Sequence, residues 1–274
     1  MYCALINIKF KGNAVRIRLK FISNNFIVLR SGYNSLLQGL IYNLLDYLDA
    51  KKLHDDGFNF EKRQFRLFTF SEIIERGVFN SSLHTISFDS EISFLISSPV
   101  EWILKQIAIN SFKGDIFRLG DNLLQLEEVS VLNSLSKDFF TSDEIKVKAL
   151  TPIEVHSTFV NESKARKTYY YSPFEKEFSY LINQNARKKW SAYFKSECEY
   201  NLEIKPLFNN KSYETIRYFV KDNNKTIIKG WNGIYYLKGD PEFLKFILEA
   251  GLGSRNSQGF GFVEIVNNLD LKRG

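Results

Sequence analysis

One histidine of this sequence stands near other residues that could take part in acid–base chemistry. His54 precedes an Asp-Asp-Gly sequence and lies between a predicted helix that carries Tyr42 and a predicted strand that carries Arg66. An imidazole titrates near neutral pH, so it can donate or accept a proton during a reaction. A neighbouring arginine can supply the positive charge that stabilises an anionic transition state. Tyr42, His54 and Arg66 are therefore the candidate catalytic residues.

The same three residues also have simpler interpretations. A histidine at the end of a helix is favoured by the helix dipole. Tyr42 lies about 120° from the centre of the leucine stripe of its helix and can point to solvent, and Arg66 equally fits the exposed face of an alternating strand. The other histidines, His84 and His156, open and close strand patterns without recognisable companions. The spacing alone leaves both interpretations open.

A glycine-rich segment near the C-terminus, GLGSRNSQGFGF from Gly251 to Phe262, could hold an anion. Glycines allow backbone N–H groups to approach a phosphate chain closely, and Arg255 adds positive charge. A nucleotide-cofactor fingerprint is excluded, because its glycines follow a strand and precede a helix, whereas this segment follows a helix and precedes a strand. A glycine-rich turn without a ligand is the alternative interpretation.

The composition is that of a basic, folded protein. The chain has 274 residues, 44% of them hydrophobic, and its 37 lysines and arginines against 31 acidic residues give a net charge of +6. This balance favours a polyanionic partner without proving one. Two basic runs adjoin aromatic residues, an arrangement that suits backbone neutralisation and base stacking; they contain Lys164, Arg166 and Lys167 in a predicted loop, and residues 187–189 before Trp190. The second run equally fits a solvated helix face.

Several classes of protein do not fit the sequence. Cys3 and Cys198 have no paired spacing, so neither a disulfide framework nor a zinc site is predicted. No cluster of metal-ligand residues calls for a catalytic metal, and no cofactor is expected. No apolar run approaches the ~20 residues needed to span a bilayer, and residues 1–10 alternate like a strand rather than forming a signal peptide. The protein is predicted to be cytoplasmic.

Hydrophobic periodicity predicts the elements that must position the candidate residues. A helix is predicted from Asn34 to about residue 52 and a second over 99–112. Strands are predicted at 15–22, 65–70, 86–96 and within 116–132. The order strand, helix, strand, strand, helix, strand is the split βαβ pattern of a ferredoxin-like domain.

The same pattern repeats after a polar stretch at residues 133–138. The last helix is predicted to begin with Asp240 as N-cap and Pro241 in its first turn, and to end at Gly251. The other predicted elements of this half are a helix over 173–194 and strands near 145–155, 202–207, 216–220, 234–237 and 261–266. The predicted fold class is therefore α+β, with two tandem ferredoxin-like (βαββαβ) domains over residues 1–133 and 139–274. Residues 1–14 are left over as an extra strand without a place.

Three segments carry a resemblance to a known family. The sequence EAGLGSRNSQGFG from Glu249 to Gly261, followed by an alternating strand, resembles the signature loop of the RAMP superfamily. The sequences LQGLIYN from Leu37, LHDDG from Leu53 and FRLFTFS from Phe65 are similar to segments of the CRISPR-associated endoribonucleases that cut repeat transcripts into guide RNAs. A third, shorter match is LTPI from Leu150. The matches follow one another from about residue 15 to residue 266.

The resemblance implies a metal-independent endoribonuclease of antiviral defence. In this family a histidine after the first helix acts as general acid or base, often with a tyrosine on that helix and a lysine on the next strand. His54, Tyr42 and Arg66 occupy the matching positions, so the resemblance assigns proton transfer to His54, its positioning to Tyr42 and charge stabilisation to Arg66. An arginine stays protonated in proteins and can hardly donate a proton. The implied products are a 2′,3′-cyclic phosphate and a 5′-hydroxyl, formed by attack of the 2′-hydroxyl on its own phosphate.

The resemblance also implies where RNA would bind. Residues of the glycine-rich segment would contact the RNA backbone, and the first basic run would be ordered by it; the residues are Gly251, Gly253, Arg255, Asn256, Ser257, Gly259, Gly261, Lys164, Arg166 and Lys167. The expected partner is CRISPR repeat RNA, single-stranded or hairpin, with other effector-complex subunits as further partners and no membrane. The protein would be a monomer or a homodimer. The alternative function is a non-catalytic RNA-binding RAMP subunit of an effector complex, which would not need Tyr42, His54 and Arg66.

Overall fold

A computed structural model describes residues 15–133, 143–160, 166–209, 213–221 and 224–266. The extra strand at residues 1–14, most of the polar stretch at 133–138 and Lys164 lie outside these ranges. The helices are α1 (Asn34–Asn43), α2 (Tyr47–Asp55), α3 (Glu101–Ser111), α4 (Lys176–Phe194) and α5 (Pro241–Ala250). The strands are β1 (Val15–Ile22), β2 (Ile27–Arg30), β3 (Phe58–Phe60), β4 (Arg63–Phe65), β5 (Thr69–Phe70), β6 (Val78–Asn80), β7 (Thr85–Phe88), β8 (Glu91–Ser97), β9 (Phe117–Leu119), β10 (Asn122–Asn133), β11 (Glu144–Ile153), β12 (His156–Val160), β13 (Arg166–Tyr170), β14 (Leu202–Pro206), β15 (Glu214–Lys221), β16 (Asn224–Gly239) and β17 (Val263–Ile265).

The first half of the chain is built on an antiparallel sheet with the strand order β5-β8-β1-β10-β9. β1 lies in its interior, where Leu19 is opposite Phe94 of β8 and Val129 of β10. Alternate residues of β1, including Ile17 and Phe21, are fully buried, because successive side chains of a strand point to opposite faces. This strand and α3 are confirmed where the sequence predicted them.

The helix predicted from Asn34 to residue 52 is two helices. Asp46 adopts an extended conformation (φ −62°, ψ 140°) between α1 and α2, and Leu48, counted in the leucine stripe, is exposed. Asn110 of α3 stabilises the interruption, since its Nδ2 donates to the carbonyl oxygen of Leu44 and to Oδ1 of Asp46, both at 3.0 Å. The prediction of one helix was wrong because the leucine spacing continues across a break that α3 stabilises. His54 consequently lies in the last turn of α2 and not just past the helix.

Two predicted strands of the first half are also divided. β4 and β5 are separated by residues 66–68, where Leu67 has a φ of 51°, a left-handed conformation that non-glycine residues rarely adopt. Arg66 therefore lies in a connection and not in a strand, contrary to the prediction. The predicted strand over 86–96 is split between β7, which belongs to a separate sheet ordered β2-β7-β6, and β8. The alternating pattern continues through both divisions and could not reveal them.

The second half is built on a sheet with the order β14-β16-β11-β17, to which β15 adds by pairing with β16. The fully buried side chains of Phe178 on α4 and Phe243 on α5 belong to its core. The start of α5 is confirmed, since Oδ1 of Asp240 accepts a hydrogen bond from the backbone N of Glu242 at 2.9 Å and Pro241 begins the helix. The described chain is thus a mixed α/β protein with antiparallel sheets.

Other boundaries differ from the prediction. α4 begins at Lys176 and not near residue 173, and β17 starts at Val263 after Gly261 and Phe262. Arg166 and Lys167 lie in β13, which pairs with β12 as a hairpin, so the loop predicted for these two residues is wrong. In the ranges that the structure describes, no helix is both long and apolar enough to cross a membrane.

Candidate active site and nucleic-acid interface

Tyr42, His54 and Arg66 come together in the fold. Tyr42 lies near the end of α1 and His54 in the last turn of α2, and their ring centroids are 5.7 Å apart with the planes at 74°. Arg66 reaches back from the connection after β4, and its Nη2 donates a hydrogen bond to the backbone carbonyl oxygen of His54. Three residues that span 24 positions in the sequence thereby form one cluster.

Tyr42 is half-buried within this cluster. Its ring also makes an edge contact with Phe68, at a centroid distance of 5.7 Å. Burial raises the pKa of the Tyr42 hydroxyl, and the nearby charge of Arg66 and a hydrogen bond with its guanidinium oppose that increase. The hydroxyl keeps its proton at neutral pH and is available as a hydrogen-bond donor.

His54 is the accessible member of the cluster, with 68% of its side chain exposed. Its Nδ1 lies 2.9 Å from Oδ1 of Asp55. A carboxylate bonded to one ring nitrogen orients the imidazole and leaves the other nitrogen for a substrate. The ring is therefore held on one side by Asp55 and Tyr42 and is open on another.

A cleft with a volume of 310 Å³ extends from Arg66 of this cluster to the glycine-rich segment, and neither Tyr42 nor His54 lines it. Residues 63–67, including Arg66, form one part of its lining, and residues 253–258 form another. His156, Asn185 and Lys189 complete the lining. The cationic side chains along it are Arg63, Arg66, Lys189 and Arg255, and the described lining residues include no aspartate or glutamate. Such a surface favours an anionic ligand.

The glycines of the segment are required by its own packing. Gly251, Gly253, Gly259 and Gly261 all have φ between 68° and 86°, a region that favours glycine. A Cβ atom on Gly253 would lie 2.4 Å from the carbonyl oxygen of Glu154, and one on Gly261 would lie 1.9 Å from that of Leu252. These glycines are buried in the protein, so their close approaches are to other parts of this chain.

The polar side chains of the segment divide into two groups. Asn256 is buried, and its Nδ2 donates to the carbonyl oxygens of Leu252 and Phe260 at 3.0 Å each, so its amide group closes the loop. The half-buried side chains of Arg255 and Ser257 line the cleft. Of the predicted RNA-binding residues of the segment, these two present side chains to a ligand.

The segment also joins the two halves of the protein. Arg16 of β1 is buried; its Nη2 donates to the carbonyl oxygen of Val263 at 2.5 Å, and its guanidinium lies 4.6 Å from the ring centre of Phe262. Thr69 of β5 donates through Oγ1 to the carbonyl oxygen of Phe260 at 3.0 Å. The first half therefore packs directly on the glycine-rich segment.

Lys189 of α4 forms hydrogen bonds with the glycine-rich segment. Its side chain is 2% exposed, and Nζ donates to the carbonyl oxygens of Gly251 and Gly253 at 2.6 and 2.8 Å. Burial lowers the pKa of Lys189 to about 7. A solvated helix face was one interpretation of residues 187–189, and it is wrong for Lys189, which lies on the same helical face as Ile182 and Ala186.

The first basic run is less closely connected with the cleft. Arg166 begins β13, and the exposed Lys167 is opposite Phe159 of β12. Tyr169 and Tyr171, which follow it, have ring centroids 4.9 Å apart. None of these residues belongs to the cleft lining.

Sequence analysis missed a second histidine cluster. His156 is 20% exposed, and its Nδ1 lies 2.5 Å from Oε1 of Glu154, whose side chain is completely buried. Tyr170, opposite His156 in the β12–β13 hairpin, places its ring 5.8 Å from the imidazole, and Nε of Arg255 is 3.9 Å from Oε2 of Glu154. The sequence signal that could have revealed this cluster was the Glu-Val-His spacing, because the side chains of residues two apart in an extended chain point to the same side.

The comparisons with known proteins find similarity to Cas6 proteins. Residues 134–265 match the family described as "CRISPR associated protein Cas6, C-terminal". The chain is also 26% identical over 267 residues to "CRISPR-associated endoribonuclease Cas6 1" of Methanocaldococcus jannaschii, across 94% of this chain and 96% of that protein. Both matches are to Cas6 proteins. The resemblance predicted from the sequence is confirmed.

Two further Cas6 comparisons cover most of the chain. "CRISPR-associated endoribonuclease Cas6" of Pyrococcus furiosus is 27% identical over 240 residues, which are 86% of this chain and 83% of that protein. The solved structure described as "Characterization of a Cas6-related gene from Pyrococcus furiosus" has a TM-score of 0.77 and 22% identity, and it covers 93% of this chain and 99% of its own. The fold is thus that of known Cas6 structures.

The described part of this protein contains no group of three or more His, Cys, Asp or Glu side chains placed to hold a metal ion. Its described cysteine, Cys198, is buried and free. The side chains suited to acid–base chemistry and charge stabilisation near the cleft are foremost those of the Tyr42, His54 and Arg66 cluster.

Proposed function

We propose that this protein is an endoribonuclease that cuts CRISPR repeat transcripts into guide RNAs. The observation that carries the proposal is the convergence of Tyr42, His54 and Arg66, with Arg66 lining a cleft whose ionisable lining residues are all basic. The names of the curated Cas6 relatives agree with this activity. The RNA would be single-stranded or hairpin repeat RNA in the cytoplasm, where transcripts are made.

The proposed reaction is metal-independent transesterification. The 2′-hydroxyl loses its proton and attacks the adjacent phosphorus, the bond from phosphorus to the 5′-oxygen breaks, and that oxygen takes up a proton. The products are a 2′,3′-cyclic phosphate and a 5′-hydroxyl. His54 accepts or donates the proton, Tyr42 positions the ring, and Arg66 stabilises the charge that builds up on the phosphorus oxygens.

The scaffold we propose is a pair of tandem ferredoxin-like domains, residues 1–133 and 139–274. Support comes from the strand orders β5-β8-β1-β10 and β14-β16-β11-β17. In each, the strand that comes first in the chain lies between the third and the fourth, and the second is at the edge. A helix follows the first strand and another follows the third, as in a βαββαβ unit.

We further propose that RNA runs along the cleft. Arg255 and Ser257 would contact its backbone through their side chains, and the buried glycines and Asn256 would keep the segment in shape for that contact. Arg166 and Lys167 would extend the RNA surface along the β12–β13 hairpin, and Lys164 would also contact RNA. Other effector-complex subunits are further proposed partners, with this protein as a monomer or homodimer.

The test is cleavage of end-labelled repeat RNA from the same genome in the presence of EDTA. We expect one cut that disappears with a 2′-deoxy nucleotide at the scissile position and with His54→Ala, while His54→Ala still binds RNA. His84→Ala is the matched control, because His84 is exposed and distant in sequence from the cluster. Wild-type cleavage by His54→Ala would contradict the assignment of His54, and tight binding without any cut would favour the non-catalytic RAMP subunit.

A further inference from the structure

The Glu154 and His156 cluster opens onto the same cleft as Arg66 but is separate from the catalytic cluster. The cleft lining includes His156 and Arg255 and includes neither Tyr42 nor His54. The roles proposed above for Tyr42, His54 and Arg66 require no second histidine. His156 is nevertheless held in place, by a buried carboxylate at 2.5 Å and by the ring of Tyr170.

Buried polar atoms around this cluster lack partners among the residues that the structure describes. Oδ1 of Asn185 is buried without a hydrogen bond, and Oε2 of Glu154 and Nε of Arg255 face each other at 3.9 Å, beyond hydrogen-bond distance. Each such atom costs about 1–3 kcal/mol of stability, and native proteins retain few of them unless water, an ion or a ligand completes the set. Asn185 and Arg255 line the cleft, so a ligand bound there could supply the missing partners.

The backbone at Arg255 holds its side chain in a defined place. Its φ is 56° and its ψ 29°, in the left-handed region that non-glycine residues occupy rarely. Strain of this kind persists where the surrounding structure enforces it, and it is concentrated at ligand sites. The guanidinium is held beside Glu154 and donates through Nη1 to Oε1 of Gln258 at 3.3 Å.

We propose that His156 and Arg255, oriented by Glu154, form a phosphate-binding subsite for a nucleotide of the bound RNA other than the one that is cut. Arg255 offers several N–H donors suited to phosphate oxygens. With Nδ1 of His156 donating to Glu154, Nε2 donates to a phosphate oxygen when the imidazole is protonated. Oδ1 of Asn185 can accept a hydrogen bond from a ribose hydroxyl. This inference rests on the proposed function, because it takes RNA as the occupant of the cleft.

The direct test is an NMR titration of the wild-type protein with a repeat RNA that carries a single 2′-deoxy nucleotide at the scissile position and therefore cannot be cut by 2′-hydroxyl attack. The chain has only 3 histidines, so their ring resonances can be assigned by single substitutions. We expect the His156 resonances to move on binding and those of His84 to stay. Unchanged His156 resonances in an RNA-saturated sample would overturn the proposal.

Binding and cleavage of variants separate the subsite from the catalytic cluster. We expect His156→Gln to weaken RNA binding about tenfold, the loss of one charged hydrogen bond, and to act more on KM than on kcat, opposite to His54→Ala. Arg255→Gln should lower the slope of log K against log salt by ~0.7 in magnitude, the loss of one phosphate contact. His84→Gln is the control for His156→Gln.

The outcomes distinguish the two proposals. Wild-type affinity of both His156→Gln and Arg255→Gln would overturn the subsite and leave the nuclease intact. A loss of kcat at saturating RNA with unchanged affinity in His156→Gln would also overturn it, because His156 would then act in the chemistry. RNA binding that depends on His156 in a wild-type protein that never cuts would retain the subsite and remove the nuclease.

Discussion

Arg66 forms a hydrogen bond with the main chain of His54 and not with its imidazole ring. Nη2 of Arg66 donates to the backbone carbonyl oxygen of His54. The same guanidinium interacts with the hydroxyl of Tyr42. Arg66 thus fixes the end of α2 beside α1 and brings its positive charge to the place where the exposed His54 ring would meet a substrate.

Arg66→Ala should lower the single-turnover cleavage rate by about 10²–10³-fold, the typical effect of removing a group that stabilises charge in the transition state. Arg66→Lys should recover part of the rate, because it restores the charge without the planar set of donors. Arg118→Ala, on the exposed part of β9, makes the same change of charge elsewhere and should cleave normally. Equal rates for all three variants would reduce Arg66 to a structural role.

Tyr42→Phe tests the hydroxyl alone. The ring contacts with His54 and Phe68 remain in this variant, so its melting temperature should stay near that of the wild type. We expect the cleavage rate to fall about tenfold, the cost of one hydrogen bond, with RNA affinity unchanged. Tyr47→Phe is the control, because Tyr47 is exposed on α2. A wild-type rate in Tyr42→Phe would limit Tyr42 to packing.

Gly261→Ala and Gly39→Ala should change stability in opposite directions. A Cβ on Gly261 would lie 1.9 Å from the carbonyl oxygen of Leu252, at a φ of 68°, so we expect the free energy of unfolding to fall by more than about 1 kcal/mol. Gly39 is in α1 with no atom within 4 Å of the added Cβ, and alanine there should stabilise by up to about 1 kcal/mol. Chemical denaturation measures the free energy of unfolding of both variants. An unchanged value for Gly261→Ala would contradict the packing described for the glycine-rich segment.

The lowered pKa of Lys189 predicts a pH dependence of stability. Its pKa is lowered from 10.5 to about 7 in the folded protein, so between pH 7 and 10.5 the unfolded chain binds a proton that the folded protein has lost. The contribution of Lys189 to the free energy of unfolding should therefore rise with pH across this window. Denaturation at several pH values should show a steeper rise of the free energy of unfolding with pH in the wild type than in Lys189→Met.

Lys188→Met is the matched control for Lys189→Met. Lys188 is the neighbouring residue of α4, and its Nζ pairs with Glu61 at 2.7 Å at the surface. The Lys188→Met variant should keep the wild-type slope between pH 7 and 10.5. If Lys189→Met keeps the slope as well, the ammonium group of Lys189 does not cause the pH dependence.

Local sequence patterns determined a large part of this protein. The alternation of β1, the capping of α5 by Asp240 and the end of that helix at Gly251 all depend on side chains that act within a few residues of themselves. The glycine-rich segment could be recognised for the same reason, since four positive φ angles demand glycine locally. These features made the family resemblance recognisable from the order of the amino acids alone.

Only the tertiary structure decided how these pieces form a site. The break between α1 and α2 depends on Asn110 of a distant helix, and it sets where His54 lies relative to Tyr42. The burial of Lys189 and the pairing of His156 with Glu154 and Arg255 depend on contacts between segments far apart in the sequence. Periodicity reports which face of an element is apolar, but it does not report what lies opposite that face, and the chemistry of the cleft depends on those opposing residues.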